Sequence, residues 1–551
     1  MKKYAVLPPI FLYLLAILAL RPWQFNFPLN DDWAYAIPVN NLLNEGKLIL
    51  SSAASATQIT HILWGALWSK IFGFSFIVLR FSTLALASGA LVIFYRILAE
   101  CGVAPLYAML GVLCLAFNPL FFLLGNSFMS DVPYFFWMLL SVYFYLRHIR
   151  TPAKSWFWFA SVTVSVAYLL RQIGIFIPLA YSFLLFSQRR LNIKEFLKIW
   201  ILPALAISAH LIWFNYFHGP TWASANYVVT GTLRHLSNPL VLFSDTINRL
   251  MASSFETGFF LLPLTIGCIF HMRQFFKKKS PAKLGAGADL ALVLFAGSAL
   301  VYVLVEGRMP HLENNIMTTG IGVLTVAGAQ AKPSGIFAEK WFWHIVTFAS
   351  VVSTFIFIAA AGSLRKLAQY AEHKKEIFFV FYVCMAQFAF SLAGGKFFDR
   401  YLIVLLPWMI LTMTFALSRI QSSHRVCLAG LTLMAALSFA GVKDYLAWNN
   451  AKWKAGFMAA ETKIPSREIA NGWDWNAYYT YEESMTKLKS LKPLRMIGEW
   501  EWQKLVNYQA ITSFAAPASY GKGYAEIAAV HYDTPLSSAG GIVYAIKINP
   551  E

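Results

Sequence analysis

Residues 5–33 read AVLPPIFLYLLAILALRPWQFNFPLNDDW, and this stretch decides how the chain is organised. Its apolar first half resembles a secretory signal peptide, but no small-residue cleavage site follows it, so we interpret it as a retained membrane anchor. Two adjacent carboxylates, Asp31 and Asp32, come next at the predicted membrane surface. A charge beside a bilayer is costly unless it is solvated, paired or used in function. Either this pair marks an active site, or Asn30 or Asp31 only caps the next helix.

The composition indicates a polytopic membrane protein. Of the 551 residues, 58% are hydrophobic and only 13% are charged, whereas an ordinary soluble domain carries about 25% charged residues. Apolar runs of spanning length predict about thirteen transmembrane helices. These runs lie near residues 5–20, 77–97, 103–123, 132–148, 155–170, 173–187, 198–216, 252–272, 287–304, 342–361, 377–393, 401–418 and 426–442.

The positions of lysine and arginine orient the predicted spans. Lys2 and Lys3 place the N-terminus in the cytoplasm, and an odd number of spans then places the C-terminus outside. The net charge of +19 follows from the excess of basic residues in cytoplasmic loops, so no nucleic-acid partner is predicted. The fold class we predict is an all-α polytopic membrane domain, residues 1–442, followed by a small external α/β domain, residues 443–551.

Local signals predict structure in the two external parts of the chain. The loop 21–76 is predicted to hold two interfacial helices, Asp32–Glu45 and 58–72, since Gly46 and Gly73 are helix-stop signals. Residues 541–546 are predicted to form a strand. Tryptophans of the external domain, among them Trp473, Trp475, Trp500 and Trp502, either stack on sugar rings or pack within a small core.

The cysteines argue against a disulfide framework or a zinc site. The five cysteines are scattered through apolar segments, with no CxxC pair and no nearby cluster of histidines. No metal site and no cofactor are predicted, and whether the protein requires a metal is left open. We also find no glycine-rich phosphate loop in the cytoplasmic loops, which is consistent with a protein that uses no nucleotide.

Charged residues concentrate at the predicted external ends of the spans. The basic pair Lys396 and Arg400 departs from the positive-inside trend, and such a pair suits a lipid phosphate, with Asp399 pairing with one of them. Asp131 either caps its helix or supplies a second carboxylate. His61 lies on an apolar helix and is more typical of a structural residue than of a catalyst. The candidate catalytic residues are Asp31, Asp32 and Asp131. The candidate residues for binding a donor phosphate or the substrate are Arg80, Arg171, Lys396, Arg400, Tyr401, His61 and Glu313.

This set of residue types suits transfer of a sugar at a membrane surface. A carboxylate just outside the bilayer can act as general base toward an acceptor. Nearby basic residues can hold a phosphate leaving group and stabilise the charge that develops on it. The predicted donor is a sugar on a polyprenyl phosphate, whose tail lies in lipid. The acceptor is a glycolipid, a glycan or a protein.

The pattern resembles the membrane glycosyltransferases of the GT-C fold, in the branch of the lipid A aminoarabinose, lipopolysaccharide core and protein O-mannosyl transferases. The matching elements are Asp31-Asp32-Trp33, Ser69-Lys70-Ile71-Phe72-Gly73 with Arg80, Ser130-Asp131-Val132-Pro133, and Arg400-Tyr401-Leu402 with Pro407. The resemblance implies an inverting hexosyl- or pentosyltransferase with Asp31 as base and Asp131 as its support. It also implies that Arg400 or Lys396 contacts the donor phosphate, and a bacterial inner-membrane location with a periplasmic C-terminal domain.

One element departs from this family. Many relatives carry a Lys- or His-Pro-Pro-Leu element at the start of the interfacial helix, whereas this chain reads Ala56-Thr57-Gln58-Ile59-Thr60-His61. The role of that basic residue is therefore absent here or is filled by His61. Three alternative functions stay open: a transporter or flippase, a ligase of the O-antigen type, and an inactive scaffold. The absence of an internal repeat and the scarcity of acidic residues within the spans argue against a transporter.

Overall fold

The computed structural model describes residues 6–271, 286–305, 307, 309, 312, 314–317, 319–326, 336, 339–364, 371–419, 423–521, 523–533 and 541–548. One predicted site residue, Glu313, lies outside these described residues. Most of the described chain is α-helical. The helices are α1 Leu7–Leu20, α2 Asp32–Glu45, α3 Ile59–Phe72, α4 Phe76–Glu100, α5 Pro105–Ala116, α6 Pro119–Gly125, α7 Asp131–Arg150, α8 Lys154–Leu170, α9 Phe176–Ser187, α10 Ile193–Ile212, α11 Thr232–Leu236, α12 Pro239–Thr265, α13 Ala286–Val305, α14 Lys340–Leu364, α15 Lys374–Ala393, α16 Leu406–Leu417, α17 His424–Glu461 and α18 Gly472–Leu491.

The fold class predicted from composition is confirmed, since the protein is a multi-pass helical membrane protein. A helix lies at each predicted span. Within the described residues, eight helices are long and apolar enough to cross a bilayer. A ninth is possible if α5 and α6, which meet at an angle of 63°, form one broken span. The value of about thirteen spans therefore stays a prediction.

The two short helices predicted in the first loop are present. α2 ends at Gly46, where φ is +66°, and α3 ends at Gly73, where φ is +84°. Both are left-handed backbone positions that favour glycine. The helices pack against each other, and α3 also packs against α4 and α8. The loop is thereby fixed onto the helical bundle, so Asp31 and Asp32 have defined positions at the start of α2.

The C-terminal part forms a small α/β unit. Its four-stranded sheet has the order β3-β4-β6-β5, in which β3 and β4 are parallel and the other pairs antiparallel. The strands are β3 Ile469–Ala470, β4 Ala510–Ser513, β5 Tyr524–Tyr532 and β6 Gly541–Ile548, and a separate hairpin joins β1 Ile316–Met317 to β2 Gly320–Ile321. β6 confirms the strand predicted at residues 541–546.

A single long helix connects the membrane bundle to the C-terminal unit. α17 runs for 38 residues, through the predicted domain boundary after residue 442. One end packs against the bundle helices α12 and α5, and the helix also contacts β5 and β6 of the sheet. The boundary itself stays a prediction. Because one helix contributes to both parts, a displacement of the C-terminal unit requires a movement or bend of α17.

A buried ion pair fixes α18 against the polar half of α17. Lys452 of α17 pairs with Asp474 of α18, and both side chains are fully buried. The other Asp474 oxygen accepts a hydrogen bond from the indole of Trp453 at 2.9 Å. Lys452 also donates to the Thr325 hydroxyl at 2.9 Å, and Thr325 donates to Asp474 at 3.0 Å. The network thus joins three separate segments of the chain.

Loss of one partner of this pair is expected to destabilise the C-terminal unit. In Lys452→Met the Asp474 carboxylate stays buried without its counter-ion, which costs roughly 3–5 kcal/mol. We expect a lower thermal unfolding temperature and faster proteolysis of residues 443–551 in detergent. The matched control is Lys454→Met, an exposed lysine in the same helix. Equal stability of the two variants would contradict the role assigned to the pair.

Candidate active site

Asp31 lies between a membrane-helix arginine and a tryptophan of the C-terminal unit. Its Oδ2 is 3.5 Å from Nη1 of Arg400, and its Oδ1 accepts a hydrogen bond from Nε1 of Trp473 at 2.9 Å. Trp473 is the second residue of α18, directly after Gly472. Three segments that are distant in sequence therefore meet at one carboxylate.

The helix-cap interpretation of Asp31 does not match this geometry. Asp31 occupies the N-cap position of α2, but its side chain makes no capping hydrogen bond. Both carboxylate oxygens instead point to Arg400 and Trp473. The side chain is 29% exposed, so it is accessible to a molecule that approaches from outside.

A second ion pair lies nearby and is more deeply buried. Oδ1 of Asp131 is 3.0 Å from Nη2 of Arg171, and Nε of Arg171 donates to the Ser130 hydroxyl at 3.1 Å. Asp131 is completely buried. A carboxylate without solvent access is poorly placed to meet an acceptor, whereas it can hold a neighbouring arginine in a fixed orientation.

Two observations connect the ion pairs into one site. Arg400 interacts electrostatically with both Asp131 and Asp31. Tyr35, one turn along α2, interacts electrostatically with both ion pairs. These are Asp31 with Arg400 and Asp131 with Arg171. Burial raises the pKa of this phenol to about 12, so it stays protonated at neutral pH as a hydrogen-bond donor. Tyr35 was not among the residues predicted from the sequence.

Arg80 is a buried residue that interacts electrostatically with Asp32. Arg80 is buried and donates to the carbonyl oxygens of Pro22, Phe25 and Phe27 at 3.2, 2.6 and 3.1 Å. The predicted contact of Arg80 with a donor phosphate is therefore a poor fit to this structure, because its guanidinium is occupied by the loop backbone. We assign it the role of holding the connection between α1 and α2.

His61 is a packing residue in this structure. The side chain is fully buried, its Nε2 lies 2.9 Å from the Phe128 carbonyl oxygen, and its ring stacks on Phe128 with centroids 4.1 Å apart. Burial lowers the pKa of His61 to about 4, so the imidazole is neutral at physiological pH. His61 also meets the ring of Tyr35 edge to face. It thus supports Tyr35, and substrate contact by His61 is not favoured.

The outer wall of the site contains Lys396, which is paired with a carboxylate that sequence reasoning missed. Nζ of Lys396 lies 2.8 Å from Oε1 of Glu499 and 4.1 Å from the centroid of the Tyr227 ring. The hydroxyl of Tyr227 donates to the same Glu499 oxygen. Lys396 is therefore part of a salt-bridged wall, and the prediction that it contacts the donor phosphate requires this pair to open.

Asp399 and Tyr401 flank Arg400 in the sequence. Asp399 was expected to pair with Lys396 or Arg400, but this expectation was wrong. It is buried and accepts hydrogen bonds from the backbone of Asn315 and Ile316 at 2.6 and 2.7 Å, which fixes the β1–β2 hairpin. Tyr401 packs its ring against Phe397 and Phe398.

The hydrogen bond from Trp473 to Asp31 and the ion pair of Glu499 with Lys396 had no local signal in the sequence. Trp473 stands in an ordinary helix-start context, Gly472-Trp473-Asp474, and Glu499 lies in a loop. Their roles arise only from contacts across more than a hundred positions in the chain. No group of three or more metal-ligating side chains occurs within the described residues.

Comparison with known protein families finds one similarity, within the membrane domain. Residues 61–213 match the family model of dolichyl-phosphate-mannose-protein mannosyltransferases. The predicted resemblance is confirmed. The matched segment contains four candidate residues that take part in the site or its supports, namely His61, Arg80, Asp131 and Arg171. No curated protein sequence matches the chain.

Similar solved structures come from yeast and from a bacterium. The chain shares 15% identity with the Saccharomyces cerevisiae protein O-mannosyltransferase Pmt1–Pmt2 complex bound to its sugar donor, over 41% of this chain and 35% of that chain, with a TM-score of 0.33. It shares 12% identity with ArnT from Cupriavidus metallidurans bound to undecaprenyl phosphate, over 99% and 98% of the two chains, with a TM-score of 0.42. The apo state of the same ArnT matches at 14% identity, over 97% of each chain, with a TM-score of 0.38. This chain thus spans about a third of the yeast protein.

The buried Asp32 is expected to make stability depend on pH. Burial raises its pKa to about 7, although the backbone amides of Phe128 and Leu29 and the charge of Arg80 oppose the shift. An unfolded aspartate titrates near pH ~3.9. Between about pH 4 and pH 7 the folded protein therefore binds more protons than the unfolded chain, and the free energy of unfolding falls as pH rises.

The variant Asp32→Asn removes this titration. We expect the unfolding temperature of the wild type in detergent to fall from pH 4.5 to pH 7.5 relative to that of Asp32→Asn. The exposed Glu45→Gln, at the other end of α2, is the control and should follow the wild type. Parallel curves for the wild type and Asp32→Asn would show that Asp32 carries no raised pKa.

Proposed function

We propose that the protein is a membrane glycosyltransferase that moves a sugar from a polyprenyl-phosphate donor to an acceptor at the outer face of the membrane. The observation that carries the proposal is the meeting of Asp31 with Arg400 beside the Asp131–Arg171 pair. A partly exposed carboxylate and two guanidinium groups in one place are the groups that such a transfer requires. The family match of residues 61–213 supports this reaction class.

In the proposed reaction the acceptor hydroxyl loses its proton to Asp31. The acceptor oxygen bonds to the anomeric carbon as the bond between that carbon and the phosphate oxygen breaks. The polyprenyl phosphate leaves with the bonding electrons. A single displacement of this kind inverts the configuration at the anomeric carbon, and the product is a glycoside together with the free lipid phosphate.

Arg400 and Arg171 are the proposed phosphate ligands. Arginine binds phosphate through paired N–H donors and cannot lose its charge at physiological pH. The side chains of Arg171 and Arg400 are mostly buried, with 15% and 11% exposure, and each has a carboxylate partner. Asp131 and Asp31 thus keep both guanidinium groups aligned before the donor binds.

Asp31 is the proposed base because it is the accessible carboxylate. Asp131 has no exposed surface and Asp32 is buried under the loop, whereas Asp31 is partly exposed. Arg400 supplies a positive charge 3.5 Å from Oδ2 of Asp31, which holds the carboxylate in place. Each oxygen of Asp31 retains a lone pair beyond its present contact, so a hydroxyl can bind there.

The variant Asp31→Asn tests the base assignment. An amide cannot take the proton, so we expect the transfer rate to fall at least ~100-fold. The assay uses purified protein in proteoliposomes with a panel of radiolabelled polyprenyl-phosphate sugars and envelope acceptors. Glu45→Gln, the exposed carboxyl group on the same helix, should transfer at the wild-type rate. Full activity of Asp31→Asn would exclude Asp31 as base.

The variant Trp473→Phe tests whether the C-terminal unit positions the base. It keeps an aromatic ring but removes the N–H that holds Asp31. A hydrogen bond to a charged group is worth roughly 1.5–3 kcal/mol, so kcat should fall about 10- to 100-fold with little change in KM. Trp475→Phe, which loses an N–H bond to the Ser466 carbonyl, is the control. Equal rates for the two variants would mean that Trp473 only packs.

A further inference from the structure

An exposed tryptophan lies one aromatic ring away from the proposed base. The side chain of Trp500 is 55% exposed, and its ring meets that of Trp473 edge-on at 5.4 Å. Trp473 donates its own N–H to Asp31. The neighbouring Trp502 is fully buried, and its ring centroid lies 5.7 Å from that of Trp473. Of these three indoles, only Trp500 presents a large open face.

Charged and phenolic groups adjoin this indole. Glu499, the preceding residue, accepts hydrogen bonds from Lys396 and Tyr227. Both Lys396 and Glu499 are exposed for more than a third of their side chains. Tyr227 and Tyr481 each interact electrostatically with Glu499 and with Asp31. Glu499, Lys396 and Trp500 therefore form a wall close to the Asp31 carboxylate.

The combination of groups favours a sugar over a lipid tail. An exposed tryptophan at a membrane surface commonly anchors a protein in the headgroup region. Such an anchor does not need an ion pair beside it, and an acyl chain gains nothing from Glu499 or Lys396. A pyranose has an apolar face of C–H groups and an edge of hydroxyls. It matches an aromatic surface with a few fixed polar groups next to it.

We propose that Trp500, Glu499 and Lys396 form a subsite for a pyranose ring of the acceptor, so that the acceptor of the transfer is itself a glycan or glycolipid. This inference rests on the proposed glycosyltransferase function. The sugar ring stacks on the indole of Trp500. Its hydroxyls bind the carboxylate of Glu499 and the ammonium group of Lys396, and the reacting hydroxyl of the acceptor, outside this ring, reaches Asp31.

Ligand-detected NMR on the full-length protein in nanodiscs tests the subsite. The probes are methyl glucopyranoside, methyl galactopyranoside and methyl mannopyranoside at millimolar concentration. We expect saturation transfer to the ring C–H protons of at least one probe with the wild type. Trp500→Ala should weaken binding of that probe by at least about threefold, which corresponds to the loss of one aromatic contact. Trp500→Phe should recover part of it.

The matched control is Trp341→Ala. Trp341 is also 55% exposed, but it lies at the start of α14. The Trp341→Ala variant should bind the probe as tightly as the wild type does. Unchanged binding by Trp500→Ala, or an equal loss in Trp341→Ala, would overturn the subsite.

The variant Asp31→Asn separates this inference from the proposed function. It should bind the probe normally while it loses transfer. If it keeps transfer, the assignment of the base fails, but a loss of probe binding that is specific to Trp500→Ala still establishes the sugar subsite. If no probe binds the wild type at concentrations up to roughly 100 mM, well above a millimolar Kd, the subsite is excluded.

Discussion

The electrostatic interaction of Arg400 with two carboxylates is the constraint on which the proposed site depends. A guanidinium group in a mostly buried position needs compensating negative charge, and here it is supplied by Asp31 from the first loop and Asp131 from the start of α7. The requirement ties the first loop, an early helix and a late helix to one another. Arg171 completes the arrangement by pairing with Asp131. Tyr35 interacts electrostatically with all four of these charged groups.

The C-terminal unit contributes a residue to the proposed active site. Trp473 reaches Asp31 from the start of α18, and Gly472 before it has a φ of +82°. A Cβ at that position would lie 2.6 Å from the Thr325 carbonyl oxygen, so close approach of the two backbones needs glycine there. The buried Lys452–Asp474 pair holds the same region on α17. The stability of the C-terminal unit and the position of the Asp31 carboxylate are therefore linked.

The sequence predicted the helices well because their apolar runs are long and their stops are marked by glycine, as in α2 and α3. It also pointed to Asp31, Asp131, Arg171 and Arg400, since charge at the predicted external ends of spans is uncommon and needs a partner. The pairings themselves could not be predicted, because Asp31 lies 442 positions from Trp473 in the chain.

Arg80 and Asp399 show the limit of that reasoning most clearly. Arg80 was a candidate for binding a phosphate, but both of its Nη groups donate to carbonyl oxygens of a loop. Asp399 adjoins Arg400 in sequence, yet it bonds the backbone of a distant hairpin. Burial and backbone satisfaction decide such cases, and neither is visible in a linear pattern.

The most direct test of the central claim is a structure of the protein with a polyprenyl phosphate, determined by electron cryomicroscopy in a lipid nanodisc. We predict that a phosphate oxygen lies within about 4 Å of a guanidinium nitrogen of Arg400 or Arg171, which is the range of an ion pair. Asp31 should face the open side of the site. A phosphate bound instead at the opposite ends of the helices, beside Arg147 and Arg150, would contradict it.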